Sequence, residues 1–229
     1  MDKKKILIFT GAGVSAESGV STFRTGPDGL WYNHKVEDVA TPDGWRRDRE
    51  KVLNFYNERR RQLDTVEPND AHKLIALLEK DHEVVVITQN VDDLHERAGS
   101  TNVLHLHGEL RKMCSSNNKE LTLPYEKDIQ IGDKHEDGSQ LRPYIVWFGE
   151  DVPKLFEAAN IVSEADMLVV VGTSLEVYPA ASLVRYSKAD CRLFYIDPKP
   201  SEDTPGIEYF TTIKKVATEG MEYLVDILK

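Results

Sequence analysis

Side chains able to do chemistry fall in short stretches of this chain, each placed just after an apolar run. Gly11-Ala12-Gly13 follows Ile6-Leu7-Ile8-Phe9 and leads into Ser15-Ala16-Glu17-Ser18. Glycines reach backbone angles closed to other residues and let a ligand approach the main chain. The first turn of a helix has free N–H groups that suit a phosphate. Thr88-Gln89-Asn90-Val91-Asp92 follows the apolar run 84–87 and presents amides and a carboxylate, although a turn with a helix cap would use the same residues. His105 and His107 share one face of the alternating run 103–107. Two such histidines could ligate a metal, but no third ligand stands nearby, and a structural histidine is the ordinary outcome. Gly108 removes bulk beside His107, as a reacting site would want. Gly172-Thr173-Ser174 again sets small and hydroxyl groups after an apolar run, 167–171.

Tyr56 and Arg59 pose a different question. A helix over 49–66 places Val52, Tyr56 and Leu63 on one apolar stripe, and Arg59 falls on it at helical spacing. A guanidinium turned inward is costly unless it meets an anion. The anion is either an internal Asp or Glu, or a carboxylate brought by a substrate and gripped by both side chains. The neighbouring Arg60 and Arg61 are expected on a solvated face.

These residues need elements to hold them. Buried strands are expected at 6–9, 84–87, 167–171 and 192–196, alternating with helices at 49–66, from Asn69 to about 80, at 153–164 and at 216–229. Leu74, Ala76, Leu77 and Leu78 would face the core. Parallel-type strands bind ligands at their carboxyl ends, which is where the stretches above lie. An ordinary dinucleotide unit has a second strand ending in Asp or Glu about 20 residues after the glycine turn. Here that region is rich in Gly, Pro and aromatics, Ala16 replaces the third glycine, and Glu37 and Asp38 follow a loop. The expectation is a non-standard cradle with a long loop folded over it, in which Thr22, Phe23 and Arg24 supply a hydroxyl, an aromatic wall and a cation. The run 141–150, closed by Gly149, suits pairing with an extended peptide, with Val177 and Tyr178 opposite Phe148; its alternative is an edge strand.

The stretches GAGVSAESGVSTFR (11–24), TQNVDDLHERAG (88–99), LHGEL (106–110), VWFGE (146–150) and GTSLEVYPAA (172–181) occur in this order. Together they resemble the signatures of the sirtuins, the NAD-consuming protein deacylases. The resemblance implies a single α/β domain over 1–229, with a Rossmann-like parallel sheet from 1–35, 68–110 and 143–229. It further implies a helical insertion at 36–67 forming an acyl pocket, and a small inserted module at 111–142. His107, not His105, becomes the general base, acting with Asn90 and Asp92. An imidazole titrates near neutrality, so it can accept a ribose hydroxyl proton and be regenerated. NAD, a consumed co-substrate, would meet Gly11, Ala12, Gly13, Ala16, Thr22, Phe23, Arg24, Gln89, Asn90 and Asp92. Further along it would meet Gly172, Thr173, Ser174, Asp197 (where the family usually has Asn) and Ala217. Acylated lysine would lie against Val146, Phe148, Gly149, Glu150 and Val177.

DVATPDGW and FYNERRRQL resemble the bacterial subgroup that removes succinyl and malonyl groups. In that subgroup Tyr56 and Arg59 grip the acyl carboxylate and a small residue, here Ala40, leaves room. The implied activity is desuccinylation or demalonylation with weaker deacetylation, yielding nicotinamide and O-acyl-ADP-ribose. Mono-ADP-ribosyl transfer from the same site and a non-catalytic acyl-lysine or NAD binding module are the alternatives. The chain departs from the family at the four-cysteine zinc site. Only Cys114 is present, with Asn117, Lys134 and Asp137 at the other positions. Since tetrahedral zinc wants Cys or His, no bound metal is expected, and Leu121, Leu123, Tyr125, Ile129 and Ile131 are expected to hold the module by packing.

Bulk properties narrow the setting. With 40% hydrophobic and 30% charged residues a globular core is expected. A net charge of −10 argues against nucleic acid or an anionic membrane as partner. Two cysteines form no disulfide framework, so a reducing cytoplasm is the simplest location, and a monomer is expected.

Overall fold

The computed structural model describes residues 3–22, 34–200 and 209–228. Phe23 and Arg24 lie outside the described residues. Six strands build one parallel sheet: β1 (Lys5–Thr10), β2 (Glu83–Thr88), β3 (Val103–His105), β7 (Met167–Val171), β8 (Arg192–Ile196) and β9 (Thr211–Ile213). Their order is β3-β2-β1-β7-β8-β9. Counted along these strands alone, that is the 3-2-1-4-5-6 order of a Rossmann-like sheet, whose winding reverses between β1 and β7. Runs such as VVVI and MLVVV become strands because branched side chains pack well on a pleated surface covered on both faces.

One face of the sheet is covered by α5 (Asp70–Leu77) and α8 (Ala217–Leu228) through Ala71, Ile75, Met221 and Leu224. The other is covered by α7 (Leu155–Glu164) and a 3-10 segment, Ala180–Tyr186, through Ala158, Val162 and Leu183. Asn69 caps α5 by accepting from the Ala71 N–H. The α-helix stops at Leu77 and continues as a 3-10 turn, Leu78–Lys80. Ile75 takes the core position, and Leu77 is left 44% exposed, contrary to the expectation for it.

A third cluster joins the segment between β1 and β2 to a small antiparallel sheet. That segment folds as α2 (Val36–Val39), α3 (Pro42–Arg47) and α4 (Arg49–Leu63), the last two capped by Thr41 and Asp48. The small sheet has the order β5-β4-β6, from β4 (Gly108–Ser115), β5 (Thr122–Pro124) and β6 (Leu141–Ile145). Tyr56, Leu63, Ile145 and Trp147 pack together between them.

Two expectations fail here. Arg60 is not solvated: it is 1% exposed, its Nε donating to Leu110 O at 2.8 Å and its Nη1 to Asn57 Oδ1 at 2.8 Å and Lys127 O at 3.2 Å. Arg61 does face outward, against Asp128. The module is not held by Leu121, Leu123 and Ile131, which are exposed. Ile129 and Tyr125 do pack inward, and polar bonds from α4 replace the remaining grease. Asn57 closes a two-way pair with the Ile129 backbone, both bonds at 2.9 Å.

Candidate active site

The carboxyl ends of β1 and β7 meet through their glycines. Gly13 N–H donates to Gly172 O at 2.8 Å and Gly11 N–H to Val171 O at 3.1 Å. Gly172 has φ +63°, and a Cβ there would lie 2.4 Å from Val14 N, so only glycine lets the two turns touch. The helix after the turn is one turn long, α1 (Gly13–Ala16), and Ala16 stands exposed at its end. The Val14 and Ser15 amides are spent on Gly11 O and Ala12 O.

Above this junction opens a cleft of about 790 Å³. Gly11, Ala12, Gly13 and Thr22 line one part, with Gly172, Thr173 and Ser174 beside them. Gln89, Asn90 and His107 line the floor, and Ala40, Tyr56, Val146, Phe148, Gly149, Glu150 and Val177 the remainder. A smaller cavity of about 40 Å³ adjoins it, sharing Ala12, Tyr56, Asn90 and Val91 as wall and adding Arg59 and Asp92. Asp197 and Ala217 are buried at the ends of β8 and the start of α8 but do not line the cleft; Lys199, not singled out from sequence, does.

His107 follows β3, and its Nδ1 donates to Gln89 O at 3.1 Å. That fixes the tautomer and leaves Nε2 as the lone-pair nitrogen. Burial lowers its pKa below 6.5 even though the Gln89 carbonyl works the other way, so the ring is neutral at pH 7. His105 is excluded as a base by its bonds. Its Nδ1 meets Asn90 O at 2.9 Å and its Nε2 meets Glu96 at 2.7 Å, leaving no free nitrogen. Burial disfavours charge on it, but the Glu96 hydrogen bond raises its pKa on balance.

Ser15, whose place in the sequence marks only a helix start, organises this part of the site. Its hydroxyl donates to Asp92 Oδ2 at 3.0 Å and accepts from Asn90 Nδ2 at 3.1 Å. His72 Nε2 lies 3.4 Å from the same oxygen, and His95 Nε2 lies 3.0 Å from Thr10 Oγ1. Asp92 also accepts from Leu94 N–H at 3.2 Å, in the turn that leads into α6 (Leu94–Arg97), whose N-cap is Asp93. Burial pushes the Asp92 pKa up to about 6. Gln89 Nε2 donates to Thr173 Oγ1 at 3.0 Å, linking the floor to the β7 turn.

Tyr56 is buried, and its hydroxyl accepts from Trp147 Nε1 at 3.1 Å, leaving its own proton to donate. Arg59 has an internal partner, Glu58, at 2.8 Å, but that carboxylate is largely exposed and adjacent in sequence. Such a pair is worth little and is easily exchanged. Glu150 lines the cleft, and its carboxylate is engaged within the protein. Its carboxylate accepts from Arg142 at 3.0 Å and 3.3 Å and from Trp147 N–H at 2.9 Å, which braces the loop. Phe148 N–H donates to Ala40 O at 3.0 Å, tying that loop to α2.

The zinc positions of the family hold a different device. Cys114 is fully buried, its thiol pushed up to about 11 by burial. Asp137 accepts from Ser115 Oγ at 2.5 Å and Ser139 Oγ at 2.7 Å. Among the described residues no three His, Cys, Asp or Glu are grouped to share an ion. The donor set does not fit tetrahedral zinc.

The glycine junction, the neutral imidazole and the Ser15–Asn90–Asp92 triangle all sit on segments matched by one family model, described as Sir2 family, over residues 11–179. The chain belongs to the Sir2 family. It is 52% identical over 232 residues to a Bacteroides thetaiotaomicron protein named NAD-dependent protein deacylase, covering 98% of each. A Helicobacter pylori protein of the same name is 56% identical over 196 residues, 86% of this chain and 85% of that one. Among solved structures, a mutant Sir2 homologue in complex with ADP-ribose superposes with a TM-score of 0.88 at 41% identity, covering 98% of this chain and 92% of that one. A Sir2 homologue in complex with NAD gives 0.86 at 41% identity, covering 99% and 90%.

Proposed function

We propose that this Sir2-family chain is an NAD-dependent protein-lysine deacylase, with a preference for succinyl and malonyl groups and weaker deacetylation. Its products would be nicotinamide and O-acyl-ADP-ribose. The observation that carries the reading is the pairing of two sites across one wall. His107, with Nε2 bare, lies on the floor of a cleft whose side wall, Tyr56, also bounds the cavity that Arg59 lines.

The cleft has the volume usual for a cofactor site, and its donors suit NAD. Gly11, Ala12, Gly13 and Thr22 would hold phosphates, with Phe23 and Arg24 added by the family resemblance. Gln89, Asn90 and Asp92 would hold the nicotinamide ribose, and Thr173 and Ser174 the adenosine side, where the family resemblance adds Asp197 and Ala217 from behind the lining. When bound, NAD supplies an activated ribose carbon that releases nicotinamide and receives the acyl oxygen. His107 Nε2 takes a ribose hydroxyl proton, and Gln89 O holds the Nδ1–H that accumulates charge. Asn90 and Asp92, both fixed by Ser15, orient the hydroxyls. Tyr56 O–H and Arg59 give one neutral and one charged donor to a carboxylate, and Ala40 leaves space beside them. Relatives carry the name deacylase, and one Sir2 structure, 29% identical with a TM-score of 0.83, holds a deacetylated peptide with 3′-O-acetyl ADP-ribose. Free thiols at Cys114 and Cys191 suit a reducing, cytoplasmic setting.

Matched acetyl-, malonyl- and succinyl-lysine peptides with NAD, followed by product mass, test the reading. Succinyl and malonyl peptides should turn over faster, and Arg59→Met should reduce them at least tenfold more than the acetyl peptide. Equal losses would remove the acidic-acyl assignment. ADP-ribose attached to protein, with no free O-acyl-ADP-ribose, would replace deacylation with ADP-ribosyl transfer.

A further inference from the structure

The rim of the cleft carries a charge that the deacylation reading leaves unused. Three residues of acidic or basic type line the cleft among the described residues: Glu150, Glu176 and Lys199. Glu150 is spent on Arg142 and the Trp147 amide, with Lys119 at 3.3 Å. Lys199 follows β8, where its amide donates to Asp197 at 2.7 Å. Glu176 is exposed and makes no ion pair with any described residue.

Its backbone is held on both sides. Leu175 before it has a left-handed φ of 57°, a conformation costly for leucine. The residue is 2% exposed, and its amide donates to Thr173 Oγ1 at 3.2 Å. After it, Val177 O accepts from Ala181 N–H at 2.9 Å, starting the 3-10 segment. With Leu175 turned into the core, Glu176, Val177 and Tyr178 are delivered to the rim. Val177 and Tyr178 are 37% and 58% exposed, and Phe148 on the other rim is 50% exposed. A carboxylate beside aromatic faces matches a side chain with an aliphatic stem and a cationic head. The net charge of −10 draws a cationic segment toward the same mouth.

We propose that Glu176 is a specificity residue that selects acylated lysines carrying an arginine or lysine beside them in the substrate chain. This rests on the deacylase reading, and the test separates the two. Two peptides share one acyl-lysine and differ by flanking arginines or flanking glutamates, and nicotinamide release gives kcat/KM for each. The arginine peptide should be favoured about two- to fivefold at low salt, the scale of an exposed pair, and the preference should shrink as salt screens it. Glu176→Gln should bring the ratio toward one and Glu176→Lys should invert it. A ratio cancels the fraction of enzyme folded, so a poorly folding variant still reports. A ratio that Glu176→Lys leaves unchanged, or a wild-type ratio of one, overturns the assignment to Glu176 alone. No nicotinamide release from either peptide overturns the deacylase reading itself.

Discussion

The difference between His105 and His107 is a matter of free nitrogens. His105 donates or accepts at both ring positions, whereas His107 is bonded at Nδ1 alone. Burial keeps the His107 ring neutral at pH 7, so it is ready to accept a proton. The acid limb of kcat/KM against pH should therefore have its midpoint below about 6.5, and a midpoint above 7 would contradict this role. Asp92 carries the opposite burden. Its folded pKa of about 6 exceeds the ordinary 3.8, so its contribution to stability is complete below 3.8 and lost as pH rises through 6. At pH 7.5 the penalty is about 3 kcal/mol. Asp92→Asn should raise Tm by several degrees at pH 7.5 and by nothing near pH 4, while abolishing turnover. A melting curve that falls at pH 7.5 would show that the carboxylate is not under strain.

Helix α4 serves two clients on two faces. Tyr56 and Arg59 look toward the cavities, while Asn57 and Arg60, also three apart, clamp the β4 strand and the 127–129 segment. Three consecutive arginines differ by about 100° of helix rotation each, so one faces the smaller cavity, one the module and one solvent. Arg60→Leu strips donors from the buried Leu110 carbonyl and the buried Asn57 Oδ1, at about 1–3 kcal/mol for each group left unpaired, and from the part-buried Lys127 carbonyl. Tm should fall by on the order of 10 °C, and differential scanning calorimetry would measure it. Arg61→Leu is the control, since its exposed pair with Asp128 should change Tm by only a degree or so.

For the molecule as a whole, the site exists because the sheet reverses its winding between β1 and β7 and the two outgoing turns touch. Gly172→Ala should be severe, because its Cβ would strike Val14 N at a φ of +63° and force the turns apart. Loss of soluble protein or of NAD-dependent protection in thermal shift is expected. Gly138 provides the comparison. It has φ +78° but nothing within 4 Å of a Cβ, so Gly138→Ala should cost only about 1 kcal/mol of backbone strain. A mild Gly172→Ala, equal to Gly138→Ala, would mean that the junction is not what sets the cleft.

Local patterns in the chain were enough for the strand–turn–helix order, the family motifs, the histidine following β3 and the inward setting of Tyr56, because each depends on the spacing of neighbours along one element. They did not reach Ser15, whose bonds join residues 75 and 77 positions away, nor the Arg142 that occupies Glu150, nor which arginine of α4 is buried. Those depend on which faces of distant elements come to lie opposite each other. A buried donor takes whatever acceptor the packing brings within 3 Å, and helical period alone carries no record of that partner.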